Sequence, residues 1–343
     1  MARVFSCSTR LLVRVVRGFA SPDSEPFIRL LVFKNISAGI DIGGTKVQIG
    51  LLDGNGSVIA SQRLPVQGDL DAENLIKAIC EDLTGLLKAS QLKKSDLISF
   101  GVGVPGTADI QTGNIEYCPN LGWEDVPAGE IFRKYLERDV IICQDSRCAA
   151  WAEFLLGAGR KYQSMICVAV GTGIGSGIIV DGKIFHGAMN TAGEIGHCIF
   201  EKDGRPCNCG RRGCLERYCS GTGIIQRALE AFPGKLTDLP HKSESVFQLA
   251  YEGDPDVLAL IQSVVEDLAI GIANVVSIIS PQAVIISGGL CDHDELIVKP
   301  LERLVNQYGY HSWIRKNLLR IEKAQTGSDA PMIGAALLYK TLE

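Results

Sequence analysis

The sequence predicts an α/β fold made of two related halves with a cleft between them. Short apolar strands alternate with helical patterns along most of the chain, the order that gives sheets covered by helices. Strands end on glycine turns three times, at Gly43-Gly44, across 171–177 and at Gly288-Gly289, which suggests a duplicated unit. The third observation is size. A chain of 343 residues, 46% hydrophobic and 21% charged, suffices for about two domains with buried cores and is too apolar for disorder.

Residues 1–35 stand apart from this pattern. The first 22 hold Arg3, Arg10, Arg14 and Arg17 and no acid, the composition of an organellar transit peptide. Arginine interrupts the apolar stretch 11–16, which argues against a secretory signal. An extension set by the choice of start codon is the alternative, and on either reading the segment lies outside the fold.

Beyond it, 37–42 is a short apolar strand ending in Gly43-Gly44, Lys46–Leu52 a second strand, Asp53 to Gly56 a glycine turn and 58–66 a third strand. Apolar Leu75, Ile76, Ile79, Leu83, Leu86 and Leu87 recur at helical spacing and predict a helix over 71–90. Residues 98–104 form a buried strand closed by Pro105-Gly106. A helix follows at 131–136, a strand at 140–143, and a helix at 147–156 with Ser146 as its N-cap. Strands at Met165–Val170 and 177–180 flank a glycine-rich turn, and Asp181-Gly182 marks a hairpin. A long apolar helix at 258–279, a strand at Ala283–Ser287 and a final helix at 330–341 complete the chain.

Composition removes several classes of function. A net charge of −5 gives no general attraction to nucleic acid, and no run of 18 uncharged apolar residues exists to span a membrane. Of twelve cysteines, nine are scattered (Cys7, Cys80, Cys118, Cys143, Cys148, Cys167, Cys198, Cys219 and Cys291), several in apolar runs where they serve as small core residues. The other three, Cys207, Cys209 and Cys214, lie within eight residues. A chain of this size needs no disulfide staples, so the pattern suits a reducing compartment with one metal site. The expected location is cytoplasmic, or organellar if 1–35 is a transit peptide.

Three motifs carry chemistry. In Asp41-Ile-Gly-Gly-Thr45 the glycines let backbone approach a ligand, N–H groups and Thr45 can donate to phosphate oxygens, and Asp41 can hold a metal ion; a plain hairpin turn is the competing reading. Gly171-Thr-Gly-Ile-Gly-Ser-Gly177 neither opens a helix nor ends in Gly-Lys-Ser/Thr, so it is neither a dinucleotide fingerprint nor a Walker loop. A phosphate cradle between two strands is the better reading. His197 with Cys207, Cys209 and Cys214 makes a closed Cys3His zinc set that leaves no position for water, hence a structural zinc.

The run Gly193-Glu-Ile-Gly-His197, followed by Cys-x-Cys-Gly-x-x-Gly-Cys-x-Glu216, resembles the signature of the ROK family of sugar kinases. The resemblance extends from Ile40 to about Leu338. It implies a two-lobed actin-like ATPase (ribonuclease H-like) fold: a small lobe at 36–143 joined by 329–343, and a large lobe at 144–328 with a zinc loop at 197–214. It implies Zn2+ with ATP and Mg2+ as cofactors, and a homodimer, with a small-molecule sugar as substrate and neither nucleic acid nor membrane as partner. Asp41, Gly43, Gly44, Thr45 and Lys46 resemble the first phosphate motif. Gly171, Thr172, Gly173 and Gly175 resemble the second, and Gly288 and Gly289 the glycine pair beside adenosine. Gly106 and Asn120 resemble sugar-side positions, Glu194, His197 and Glu216 the sugar-binding trio, and Asp145 the catalytic base.

A carboxylate is a sound base for this chemistry, since a sugar hydroxyl sheds its proton as it attacks a phosphoryl group. One stretch departs from the family pattern. Where Asn-Asp-x-Asn is usual, this chain has Gln144-Asp145-Ser146-Arg147. The base is kept, while Gln144, one methylene longer, and the cation of Arg147 change the surroundings of the sugar. The preferred expectation is glucose phosphorylated at its 6-hydroxyl, with N-acetylmannosamine or N-acetylglucosamine as the alternative. A non-catalytic sugar-binding or regulatory protein is more remote, because some 35 residues are too few for a winged helix-turn-helix. His186, His241, His293 and His311 have no partners at recognisable spacing and are expected to be ordinary surface residues.

Overall fold

Two five-stranded sheets with one strand order organise the computed structural model, which describes residues 11–18, 27–66, 71–236, 240, 242–310 and 319–342. The chain divides into one unit of residues 1–145 with 335–343 and a second of residues 146–334.

In the first unit β3 (Ile36–Ile42), β4 (Lys46–Leu52) and β5 (Val58–Pro65) form an antiparallel meander. β6 (Leu97–Val104) and β10 (Ile141–Gln144) extend it in parallel on the other side of β3, giving the order β10-β6-β3-β4-β5. Parallel neighbours need crossovers, supplied by α1 (Ala72–Ala89) and α2 (Ala128–Leu136). Asp71 caps α1 by accepting the Asn74 N–H at 2.8 Å, and the predicted apolar positions of this helix are buried, joined by Cys80. A small antiparallel sheet, β7 (Thr107–Ala108), β8 (Ile115–Cys118) and β9 (Trp123–Val126), lies within the same unit. Its strands are two to four residues long and half-exposed, so no alternating pattern announces them.

The second unit repeats the scheme. β11 (Met165–Val170), β12 (Ile174–Val180) and β13 (Lys183–Ile184) form the meander; β14 (Ala283–Ser287) and β15 (Arg320–Lys323) add in parallel beside β11, in the order β13-β12-β11-β14-β15. Helices α3 (Asp145–Leu156), α4 (Glu216–Cys219), α5 (Gly221–Ala231), α6 (Ser243–Tyr251), α7 (Pro255–Ile279), α8 (Val298–Tyr308) and α9 (Ala330–Ala336) accompany it. α7 starts on an Asp254 cap with proline at its first position and buries Val257, Ile261, Val264, Val265, Leu268, Ile272 and Val276 in the core of this unit. By length and composition α7 is apolar enough to cross a membrane, but that stripe is the face on which the second core is built. The first unit has its own core around Ile40, Ile49, Phe100 and Phe132.

Several expectations are corrected. α3 begins at Asp145, directly after β10, so Ser146 is not an N-cap: it lies in the first turn, buried against Gly175. β12 begins at Ile174, three residues earlier than expected, so Gly175 joins Gly177 as a strand residue rather than a turn glycine. They are needed for close packing, since a Cβ on Gly177 would lie 2.8 Å from the Ser146 carbonyl and overlap Ala150. The final helix breaks at Leu337 (φ −100°, ψ 7°) and continues as a 3-10 turn over Leu338–Thr341, because Ala336, Leu337 and Leu338 are all buried and packing overrides helical continuity. Within the N-terminal extension, β1 (Leu11–Gly18) and β2 (Phe27–Lys34) pair antiparallel in a sheet of their own.

Candidate functional site

In an open α/β sheet, parallel strands deliver their carboxyl ends to one edge, which is where ligands bind. The first unit obeys this. Asp41 pairs with Gly103 and Gln144 with Val104, so the β3 turn, Pro105-Gly106 and Asp145 arrive at the same edge. The β3–β4 turn closes with the Gly43 N–H donating to the Lys46 carbonyl at 2.8 Å and leaves Gly44, Thr45 and Lys46 exposed. Asn120, exposed in the 3-10 turn Pro119–Leu121, lies against Gly44: a Cβ there would sit 3.1 Å from the Asn120 carbonyl. Gln144 is buried at the end of β10. Burial raises the Asp41 carboxyl to about 7; the Asp145 charge pushes the same way and Lys46 opposes both. Two carboxylates and an ammonium group thus face one another at this edge.

In the second unit β11 and β14 run parallel, Ala169 opposite Ser287, so Gly171 and the Gly288-Gly289 pair emerge side by side, Gly288 lying against Val170. The turn Gly171-Thr172-Gly173 is fastened from outside. Its carbonyls at Gly171 and Thr172 accept N–H bonds from Gly221 (2.7 Å) and Thr222 (3.4 Å) at the start of α5, and the Thr222 hydroxyl donates to the Thr172 carbonyl at 2.9 Å. Glu216 Oε2 accepts the Ile174 N–H at 2.8 Å and lies over Gly173. Half of the Glu216 carboxylate therefore holds the turn. Glu194 and His197 frame the 3-10 turn Ile195–His197.

His197, Cys207, Cys209 and Cys214 converge so that their ligand atoms all lie within 4.8 Å of one another. Cys207 Sγ is 3.8 Å from His197 Nδ1 and Cys209 Sγ is 3.6 Å from Cys214 Sγ. A tetrahedron with metal–sulfur bonds of about 2.3 Å has edges of roughly 3.8 Å, so this donor set fits zinc. Bridges pairing Ile199 with Cys214 and Pro206 with Arg212 fold the loop back on itself. Burial opposes ionisation of Cys209, but N–H bonds from Arg211, backbone and guanidinium, outweigh it and bring the thiol down to about 6. Burial raises the Cys207 and Cys214 thiols instead, so Cys209 is the one of the three shifted toward the thiolate form a metal requires.

Three features escaped sequence reasoning. Arg147 is not a cation offered to a ligand: it is 1% exposed and its guanidinium donates to backbone carbonyls of the 190–192 segment. Thr222 and Ser176 are ordinary residues that acquire roles only through partners distant in sequence. Two histidines are also less bland than expected. His186 is partly buried, and burial together with the Arg147 charge lowers its pKa; His293 stacks on Phe247 at 3.7 Å between ring centres, with Nδ1 3.2 Å from the Tyr251 hydroxyl. His241 and His311 lie outside the described residues.

A family model described as the ROK family matches residues 37–342, nearly the whole chain. The chain belongs to the ROK family. It is 32% identical over 324 residues to a glucokinase of Halalkalibacterium halodurans, covering 89% of this chain and 95% of that protein. It is 28% identical over 314 residues to an N-acetyl-D-glucosamine kinase of Escherichia coli, covering 88% and 99%. Among solved structures it superposes with a TM-score of 0.75, at 27% identity, on a ROK family glucokinase from Streptomyces griseus in complex with glucose and AMPPNP, covering 89% and 99%. Its fold is accordingly the two-domain actin-like ATPase fold of this family.

Proposed function

We propose that this ROK protein is an ATP-dependent sugar kinase that transfers the γ-phosphoryl group of ATP to the 6-hydroxyl of glucose. The observation that carries the reading is Asp145: a carboxylate kept at the strand edge beside a second acid, in a chain that aligns over 89% of its length with a glucokinase structure holding glucose and AMPPNP.

In this reading Asp145 accepts the proton of the sugar hydroxyl as its oxygen attacks the phosphoryl group, and Asn120, Glu194, His197 and Glu216 orient the sugar hydroxyls. Glu216 Oε2 is committed to Ile174, so its Oε1 is the oxygen left for sugar. The N–H groups of Gly44 and Thr45, and of Thr172 and Gly173, would donate to phosphate oxygens, while those of Gly43 and Gly171 close their own turns, with Gly288-Gly289 beside the adenosine. Asp41 would hold Mg2+, which when bound neutralises developing charge on the phosphates. His197 Nδ1 with the three cysteines would hold a structural Zn2+ that fixes the 197–216 loop, leaving Nε2 for a sugar hydroxyl. We further read the protein as a cytoplasmic homodimer.

N-acetylglucosamine is the second substrate reading, favoured by the similarity to the E. coli kinase. The deciding experiment is ADP release with Mg-ATP across glucose, mannose, fructose, allose, N-acetylglucosamine and N-acetylmannosamine. We expect the largest kcat/KM on glucose and a loss of about 10²- to 10⁴-fold in Asp145→Asn. Sugar-independent ADP release, or an unaffected Asp145→Asn enzyme, would end the proposal.

A further inference from the structure

We propose that Arg147 is a positioning residue for sugar recognition: it fixes the backbone of 190–194, and through it the presentation of Glu194 and His197. The inference rests on the sugar-kinase reading above and goes beyond it by naming what sets the sugar side of the site.

The geometry is specific. Arg147 lies in the first turn of α3, is 1% exposed, and uses its guanidinium as a fork. Nη2 donates to the Asn190 carbonyl at 2.7 Å and to the Ala192 carbonyl at 2.8 Å, and Nε donates to the Ala192 carbonyl at 3.2 Å. A second clamp comes from β12, where the Ser176 hydroxyl donates to the Gly193 carbonyl. Gly193 has φ +94°, and a Cβ on it would lie 2.7 Å from the Ser176 carbonyl, so the segment is pressed against the strand as well. The Ala192 N–H donates to the His186 carbonyl at 3.1 Å and closes the loop behind it. The constraint then passes forward through two local bonds, Ile195 N–H to the Gly193 carbonyl (2.9 Å) and His197 N–H to the Glu194 carbonyl (3.1 Å).

Filling this space does not require a cation. Burying a guanidinium costs desolvation, and the N-terminal turn of a helix is where a positive charge is least welcome. An apolar side chain of similar volume would pack there without either cost. What only arginine supplies is a rigid planar fork that reaches two carbonyls two residues apart, a geometry the single ammonium of lysine does not reproduce. The same side chain sits two residues after Asp145 on the same helix, so the helix that begins at the proposed base also anchors the segment proposed to read the sugar.

The test uses the full chain with Arg147→Lys, Arg147→Asn and Ser176→Ala. Sugar binding is measured by calorimetry and turnover by steady-state kinetics, with glucose and N-acetylglucosamine as probes and thermal melts recorded without sugar. For both Arg147 variants we expect the KM and Kd for glucose to rise at least about tenfold, the loss of one or two charge-assisted hydrogen bonds. kcat and the KM for ATP stay within about threefold, the ratio of affinities for the two sugars falls towards unity, and Ser176→Ala shifts in the same direction by less. Loss of folded protein lowers apparent kcat without moving KM, so the split separates positioning from mere stability. Unchanged glucose affinity in either cooperatively melting Arg147 variant overturns the proposal, as does absence of a cooperative melt in both. A wild-type protein that binds sugar but releases no sugar-dependent ADP would defeat the kinase reading alone, while calorimetry still decides the role of Arg147.

Discussion

The β3–β4 turn and the β11–β12 turn occupy the same place in two sheets of identical strand order, yet they are supported differently. The first is closed by its own backbone, leaves Gly44, Thr45 and Lys46 exposed, and has charge at its base in Asp41 and Asp145. The second carries no charge of its own and is held by Glu216, Gly221 and Thr222, residues 42 to 50 positions further along the chain. Duplicated topology fixes where a turn emerges. What the turn can do is decided by the side chains that reach it, and in the second unit those belong to the segment that follows the Cys3His loop.

That contrast can be broken most severely at the Cys3His cluster. Stripping the metal, or replacing Cys209 by Ala, should release the 197–216 segment and with it the Glu216 strap on the second turn, while the first turn is untouched. Calorimetric glucose affinity should fall by at least about a hundredfold, since structural zinc contributes folding energy directly. Retention of full affinity in a verified zinc-free protein would uncouple loop and site. Hydrogen exchange should show faster opening confined to residues 171–174 and 197–216.

The next contrast is glycine against glycine. Gly177→Ala should destabilise the protein by about 2–4 kcal/mol in a denaturant melt, because the new methyl meets Ala150 and the Ser146 carbonyl on α3. Gly44→Ala meets only Asn120, whose carbonyl oxygen lies 3.1 Å away, and should cost below about 1 kcal/mol. Equal costs at the two positions would contradict the close packing of α3 on β12.

A pH series isolates the charge that the first turn has and the second lacks. The Asp41 carboxyl is raised from 3.8 to about 7 in the fold, so the folded state holds its proton more tightly than the unfolded chain does. The resulting stability is fully present below pH 4 and is lost as pH rises through 7, by up to about 4 kcal/mol. In Mg2+-free buffer, wild type should therefore lose stability relative to Asp41→Asn across that window. Parallel curves for the two proteins would contradict the burial of the Asp41 carboxyl beside Asp145. The smallest effect belongs to Thr222→Ala, which deletes one 2.9 Å anchor of the second turn and should cost about 1 kcal/mol, with a few-fold rise in the KM for ATP and none in that for sugar.

Much of this was legible in the linear chain because it is local. Strand, glycine turn and strand at 37–52 follow from two short apolar runs, buried almost continuously, around a short turn, and the α1 core face follows from its apolar spacing. The Cys3His cluster follows from ligand type and spacing, which restrict what four side chains in a tight loop can do. The β7–β9 sheet was not legible, since strands of two to four residues carry no periodic signal.

By itself the sequence determined the α/β class, the three glycine turns and the Cys3His cluster, each of which depends on neighbours within fewer than twenty residues. The tertiary structure alone decided that Gly175 and Gly177 serve helix packing, that Glu216 spends one oxygen on Ile174, and that Arg147 is buried on the carbonyls of Asn190 and Ala192. The physical reason is the same in all three. A charged side chain belongs in water unless a partner compensates it, and a glycine costs stability unless something crowds it. Those partners, lying up to 45 residues away, become neighbours only when the strands and helices pack.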